Sequence, residues 1–344
     1  MQATIIEFLR ELLSRLERDS ERLTIDADTH ATDVAALSGA RRQRYETESG
    51  YYHGRPVTAE ELVAEMDMSG VDLALAWQNP AATAYTNDRD RNAEALLDAN
   101  RYVLESALRH RGRFIPGGWV DPKACGAANA VRMVDTLVRE FGFFLVKMNP
   151  AQNQYAIDGE EVLQVADRVV ELGAVPAFHF GADTPYTPAE GLRRIAARYP
   201  ASPVLAIHMG GGGAGYAEAE NLYRKARLLG LEHPNLRYAL SAKRDTHIEN
   251  ALITYEMAGD PFRRNLFCAS DAPYGRMSWN FGGFRQMFRS LMDGRHPDVR
   301  LRVNGGLFTP EAAGNYLGGN FARFAAAGYS RLLSVQGTSA ALCR

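Results

Sequence analysis

Three histidines, two aspartates and a lysine stand at comparable points of this sequence, each closing a short apolar segment. The segment T-I-D-A-D-T-H ends at His30, V-P-A-F-H at His179, V-L-A-I-H at His208 and L-F-C-A-S-D at Asp271, while L-V-K-M-N-P carries Lys147. In extended backbone, residues two apart point to the same side, so Asp28 and His30 converge as a carboxylate and an imidazole with the spacing of metal ligands. Any one of these alone is ordinary for a hydrogen-bonded structural residue. Structural residues would not all gather at one rim, however, and the set has the chemistry of a site for a divalent cation. His53, His110, His233, His247 and His296 fall in expected loops or helices and read as structural.

The elements that must position these groups follow from the apolar pattern. Strand-like segments are expected at 23–27, 71–76, 114–120, 143–148, 174–180, 204–209, 236–240 and 265–269. Helical patterns alternate with them: one opens at Thr58 with the capping box T-A-E-E, and others cover 88–110, 127–141, 159–172, 188–198, 216–229 and 247–258. Strict alternation means parallel strands joined by helical crossovers. Eight such units predict a (β/α)8 TIM barrel, whose chemistry sits at the C-terminal ends of the strands. The long polar stretch 31–57 follows the first strand and is expected to overhang that face. Tyr51, Tyr52, Trp77, Trp119, Lys243 and Arg244 fall where barrel loops could reach a substrate. Three regions are expected: an amphipathic leader helix over 1–22, the barrel over 23–325, and a C-terminal tail over 326–344 after a closing helix that starts at Thr309.

Composition narrows the partners. The chain has 344 residues, 46% apolar and 23% charged, with a formal net charge of −2, which argues for a folded domain and against nucleic acid as a partner. Cys125, Cys268 and Cys343 are scattered and form no C-x-x-C, so the expected compartment is reducing and cytoplasmic. No apolar run approaches membrane-spanning length. The leader alternates Ile5, Ile6, Phe8, Leu9, Leu12, Leu13 and Leu16 with charged residues and is no secretion signal. Its stripe must be covered, by the barrel or by a second subunit, and a homo-oligomer is expected.

Longer stretches resemble a known family. They are D-A-D-T-H at 26–30, G-F-F-L-V-K-M-N-P at 142–150, E-L-G-A-V-P-A-F-H-F-G at 171–181, Y-P-A-S-P-V-L-A-I-H-M-G-G at 199–211, N-L-F-C-A-S-D-A-P-Y-G at 265–275 and T-P-E-A-A-G-N-Y-L-G-G-N-F-A-R-F at 309–324. Their order and spacing resemble the amidohydrolase superfamily, in the "amidohydrolase 2" branch that includes aminocarboxymuconate-semialdehyde decarboxylase and the resorcylate decarboxylases. The resemblance implies that Asp28, His30, His179 and Asp271 hold one divalent ion, zinc first and manganese as the alternative. Much of the family opens with H-x-H where this chain has D-x-H. Two carboxylates and two imidazoles nearly neutralise a divalent ion and are harder ligands than an all-histidine set.

Asp271 and His208 are the expected catalytic pair, and Lys147 the expected anchor of an anionic substrate. Lys147 also admits two other readings, a structural cation at the rim or a carbamate bridging two metals. The expected reaction is hydrolysis, in which a metal-activated water attacks an amide, lactone or ester of a small carboxylated substrate. The alternative is non-oxidative decarboxylation of an aromatic or unsaturated acid at the same single-metal site. The glycine run at 208–215 formally contains G-x-G-x-x-G, but the next strand ends A-L-S without the acidic residue a dinucleotide site needs.

Overall fold

The structure, a computed structural model, describes residues 2–48, 55–181, 185–211, 220–242, 245–293, 296–298, 300–301 and 306–342. Eight parallel strand positions follow one another around a barrel. They are β1 (Ile25–Ala31), β2 (Leu73–Gln78), β3 (Phe114–Pro116, resumed as Gly118–Trp119), β4 (Leu145–Met148), β5 (Val175–His179), β6 (Val204–Ile207), β7 (Leu236–Leu240) and β8 (Leu266–Cys268). Each pairs with the next in the chain, and Thr29 bridges Ala272 to close the ring. The seam is held by Asp271 N–H donating to the Asp28 carbonyl at 2.9 Å and His30 N–H donating to the Ala272 carbonyl at 2.7 Å. The expected TIM barrel is therefore present, and its strands are buried almost throughout, as parallel strands covered on both faces must be.

The expected third strand is broken in the middle. Pro116 offers no N–H, and a Cβ on Gly117 would lie 2.3 Å from the Trp77 ring. Only glycine lets Trp77 lie across this point of β3. Gly117 N–H still donates to the Ala76 carbonyl at 2.9 Å, which carries the ladder through the break.

The crossover helices start and stop close to where the sequence places them. Thr58 Oγ1 accepts from Glu61 N at 3.1 Å and Glu61 Oε2 accepts from Thr58 N at 2.8 Å, the reciprocal cap of the helix Ala59–Ser69. Asp88 caps Arg89–Arg109 through the N–H groups of Asp90 and Arg91. The helix expected from 216 is described from Glu220 to Glu232; residues 216–219 lie outside the described residues. In the stretch after β1, the structure has a 3-10 turn at Val34–Ala36 and a helix at Gly39–Thr47.

The leader helix runs Gln2–Asp19 and buries Ile5, Phe8, Leu9, Leu12 and Leu16. It lies along the closing helix Asn320–Leu342, which continues through residue 325 into the expected tail. The chain itself covers the stripe, so the stripe gives no ground for expecting a second subunit. The chain before the closing helix comes so near β1 that a Cβ on Gly318 would stand 1.9 Å from the Leu23 carbonyl oxygen. No helix among the described residues is long and apolar enough to cross a membrane.

Candidate active site

The C-terminal ends of β1 and β8 bring Asp28, His30 and Asp271 together, with one ligand atom of each within 4.8 Å of the others. His30 Nε2 lies 3.4 Å from Asp271 Oδ1 and 3.8 Å from Asp28 Oδ1. The backbone is shaped for this. Asp271 (φ +59°), His208 (φ +79°) and Met209 (φ +44°) adopt left-handed conformations that non-glycine residues rarely take. Such strain, of order 1–3 kcal/mol per residue, persists only where surrounding structure enforces it and gathers at functional sites. Here the seam bond to Asp28 and the Gly210 N–H donation to the Phe180 carbonyl at 2.8 Å enforce it.

Hydrogen bonding decides which atoms are free. His30 Nδ1 lies 2.9 Å from the Gln78 carbonyl oxygen, which can only accept, so Nδ1 carries the proton and Nε2 turns its lone pair towards the two carboxylates. None of the three has a proton to offer the others, and an imidazole lone pair between two carboxylates is the donor set that a divalent cation satisfies. Asp28 is held from both sides. Lys147 Nζ and Trp77 Nε1 each donate to its Oδ1 at 3.0 Å, and Ser241 Oγ donates to its Oδ2 at 3.0 Å. The single proton of Ser241 is thereby spent on the carboxylate. Ser241 Oγ is left to accept from His208 Nδ1 at 2.8 Å, and neutral His208 presents Nε2 as an acceptor.

His179 stands beside His208, ring centroids 4.6 Å apart, and its Nε2 is buried without a hydrogen-bond partner among the described residues. A neutral, unpartnered imidazole nitrogen beside the cluster fits the fourth ligand position, although His179 is not within the three-residue group.

The electrostatics agree with this arrangement. Burial opposes ionisation of Asp28, but Lys147, His208 and His30 outweigh it and hold the carboxyl well below the ordinary carboxylate range. Burial pushes His179 well below its ordinary value, helped by His208 and Lys147, and it lowers His208 against the opposing pull of Asp271 and Asp28. Lys147 is buried with its Nζ 5.3 Å from the centroid of Trp77 and 5.0 Å from that of Trp119, the surroundings of a cation. One step outside this group, Asp26 is pushed up to about 8 by burial, although Ser270 N–H and Asp28 N–H donate to it.

The expected site residues Asp28, His30, His179, His208, Lys147 and Asp271 are thus gathered at one end of the barrel. Trp77 and Trp119 are fully buried around Lys147 instead of lining open space. Tyr51, Tyr52, Lys243, Arg244 and His53 lie outside the described residues, as do Gly212 to Gly215 of the glycine run. Of the other histidines, His110 contacts Glu60, His247 stacks on Tyr223 and His296 contacts Glu249. Ser241 is the member of this hydrogen-bonded group that the sequence reading missed. It closes β7 in A-L-S, as the other groups close their strands, and that position was the available signal.

A family model described as Amidohydrolase matches residues 25–270. No curated protein matches the chain. Solved structures share the architecture at low identity. The 5-carboxyvanillate decarboxylase of Sphingomonas paucimobilis is 16% identical with a TM-score of 0.59, over 88% of this chain and 98% of that one. The 5-carboxyvanillate decarboxylase of Novosphingobium aromaticivorans, complexed with manganese and 4-hydroxy-3-methoxy-5-nitrobenzoic acid, is 18% identical with a TM-score of 0.57, over 77% and 91%. A dihydroxybenzoic acid decarboxylase from a Polaromonas species, with bound manganese and 2-nitroresorcinol, is 14% identical with a TM-score of 0.58, over 88% and 96%. These neighbours overturn the expectation of hydrolysis, because they break a carbon–carbon bond and not an amide, lactone or ester. The error has a physical cause: activating a water and holding a carboxylate draw on the same ligand types, so ligands at strand ends do not separate the two reactions. With the matched segment spanning β1 to the end of β8, the chain belongs to the amidohydrolase family.

Proposed function

We propose that the protein is a metal-dependent, non-oxidative decarboxylase of a small aromatic or unsaturated carboxylic acid. The observation that carries this reading is the pairing of Asp28 with Lys147 beside His30 and Asp271. Lys147 is spent on the Asp28 carboxylate, which supports its use as a cation over a carbamate bridge, and the described residues hold one such cluster, which supports a single ion. The manganese-bound decarboxylases that share the barrel support the same reaction.

Asp28, His30, His179 and Asp271 would hold the ion, and the two carboxylates favour a hard one, manganese ahead of zinc. When bound, it supplies a positive charge that fixes the substrate carboxylate and a neighbouring oxygen. The chain's own groups do the rest. Asp271 has the most exposed side chain of the cluster, 12% against 2% for His30 and none for Asp28, so it is the carboxyl that substrate meets. It delivers a proton to the carbon bearing the carboxylate. The bond to that carboxylate then breaks, its electron pair stays with the ring or double bond, and carbon dioxide leaves. Water returns a proton to Asp271. His208, held by Ser241 with Nε2 as acceptor, takes a hydrogen bond from a substrate hydroxyl. Lys147 keeps Asp28 ionised and, with its charge, favours an anionic substrate. The free, buried Cys125 and Cys268 support a reducing compartment such as the cytoplasm.

The test is metal analysis of protein purified without chelator, followed by headspace carbon dioxide from a panel of hydroxylated benzoates. About one equivalent of metal and carbon dioxide release lost in Asp271→Asn are expected. No release from any acid by metal-loaded protein would sink the reading.

A further inference from the structure

Asp271 differs from the other proposed ligands in where it sits. Asp28 and His30 lie within β1 and His179 ends β5, so strand pairing fixes their backbone. Asp271 lies beyond Cys268, the end of β8, on a turn and in a left-handed conformation. A ligand on a turn keeps its place only if the turn is itself held. The near end of this turn is held by β1. Ser270 N–H donates to Asp26 Oδ1 at 2.9 Å, and the seam bond joins Asp271 to Asp28. The turn then folds back on itself. The N–H groups of Tyr274 and Gly275 both donate to the Asp271 carbonyl, at 2.6 and 3.0 Å, and the Ser270 carbonyl oxygen leaves no room for a Cβ on Gly275. So close a fold couples the backbone of Tyr274 to that of Asp271.

The far end is held from β2, through a side chain. Tyr274 Oη lies 2.9 Å from Asn79 Oδ1. Asn79 is buried, and its Oδ1 also accepts from the Ala81 N–H at 3.0 Å. A backbone N–H can only donate, so this end of the amide is the oxygen, and the proton of the Tyr274 hydroxyl is spent on it. Asn79 is fixed in turn, its own N–H donating to the Ala31 carbonyl at 3.1 Å. Between the two anchors the Tyr274 ring stands edge-on to His30, centroids 5.6 Å apart, and Trp119 makes a second T-shaped pair with His30 at 5.8 Å. The residue before Asn79 turns its carbonyl to His30 Nδ1. The chain leaving β2 thus bears on two ligands at once: Gln78 sets the ring of His30, and Asn79 reaches Asp271 through Tyr274.

We propose that Tyr274 is a positioning residue of the metal cluster: its hydroxyl, clasped by Asn79, holds the turn that carries Asp271 at the spacing from His30 and Asp28 that a divalent ion requires. With its proton on Asn79, Tyr274 has none for a substrate, and it acts through Asp271. The inference rests on the reading of Asp271 as a ligand, and its test reads metal affinity in a way that separates the two.

Manganese is titrated calorimetrically onto metal-free wild type, Tyr274→Phe, Asn79→Ala and the double variant. Tyr274→Phe keeps the ring and removes only the hydroxyl. Tyr255→Phe is the control, since it deletes a buried hydroxyl that donates to the Arg227 carbonyl at 3.1 Å between two outer helices. Tyr274→Phe should bind manganese about tenfold more weakly than wild type, and Tyr255→Phe as tightly as wild type. Asn79→Ala should weaken binding likewise, and the double variant should be no weaker than the weaker single one, because both changes remove the same contact. The electron paramagnetic resonance spectrum of the bound manganese should change in Tyr274→Phe and not in Tyr255→Phe. Wild-type affinity in Tyr274→Phe, losses that add in the double variant, or an equal loss in Tyr255→Phe overturns the proposal. Should Asn79→Ala not fold, Tyr274→Phe against Tyr255→Phe decides alone. A wild type that binds no manganese removes the ligand reading itself, and the proposal with it.

Discussion

Ser241 shows how much one hydroxyl can decide. Its proton goes to Asp28, and its lone pair therefore sets the tautomer of His208. Ser241→Ala removes both contacts without opening the fold. Outer partners of this kind are worth about 10–100-fold in metal affinity or activity. A fall in turnover of that size is expected, with Tm nearly unchanged, and isothermal titration with manganese separates loss of affinity from loss of rate. Unchanged rate and affinity would mean that His208 does not depend on this bond. The same logic applies to Trp77, whose N–H is one of the two donors on Asp28 Oδ1.

At the scale of elements, two contacts bear on whether the site and the leader are independent. The break in β3 at Gly117 exists to admit Trp77. Gly117→Ala forces that ring to move, and overpacking typically costs about 1–3 kcal/mol. The expected result is a lower Tm together with weaker manganese binding, because the displaced ring is the one that donates to Asp28. Loss of stability alone, with metal affinity intact, would uncouple the break from the site. Phe8 lies on the far side of the molecule, buried within the stripe that faces the closing helix. Phe8→Ala should cost about 3–5 kcal/mol, read by chemical denaturation, while metal content is preserved. A change of less than about 1 kcal/mol would show that the stripe is not packed as described.

For the whole molecule, pH is the informative variable. Asp26 ordinarily titrates near 3.8 and is raised to about 8 in the fold. Over that interval the folded state binds more protons than the unfolded one, so this group's stabilising effect is present at low pH and is lost as pH rises through about 8. His179 and His208 act in the opposite sense. Their values are lowered from 6.5, so they cost stability as pH falls below that point. Asp121, raised to about 6 chiefly by burial, has already lost its effect by neutrality. Between pH 6.5 and 8 Asp26 is left to dominate. Metal-free protein should lose stability there at up to about 1.4 kcal/mol per pH unit, and Asp26→Asn should flatten the slope. A slope that persists in Asp26→Asn would assign it elsewhere.

Periodicity and strand-end chemistry are local properties, and they were enough for the barrel, the cap of one helix at Thr58, and the rim on which Asp28, His30, His179, His208, Lys147 and Asp271 lie. Each of these follows from spacing along the chain or from the alternation of a strand. What depended on distant segments meeting was not legible. The sequence did not show that Lys147 would be spent on Asp28 between two tryptophans, that Ser241 would join Asp28 to His208, or that the leader would be covered by the chain's own closing helix. The break in β3 was hidden for the same reason, since its cause is a ring contributed by β2. Ligand types mark a place for a metal, but the proton left on each nitrogen and the cation left on each amine are set by neighbours tens to hundreds of residues away, and only the tertiary structure brings those neighbours within hydrogen-bond reach.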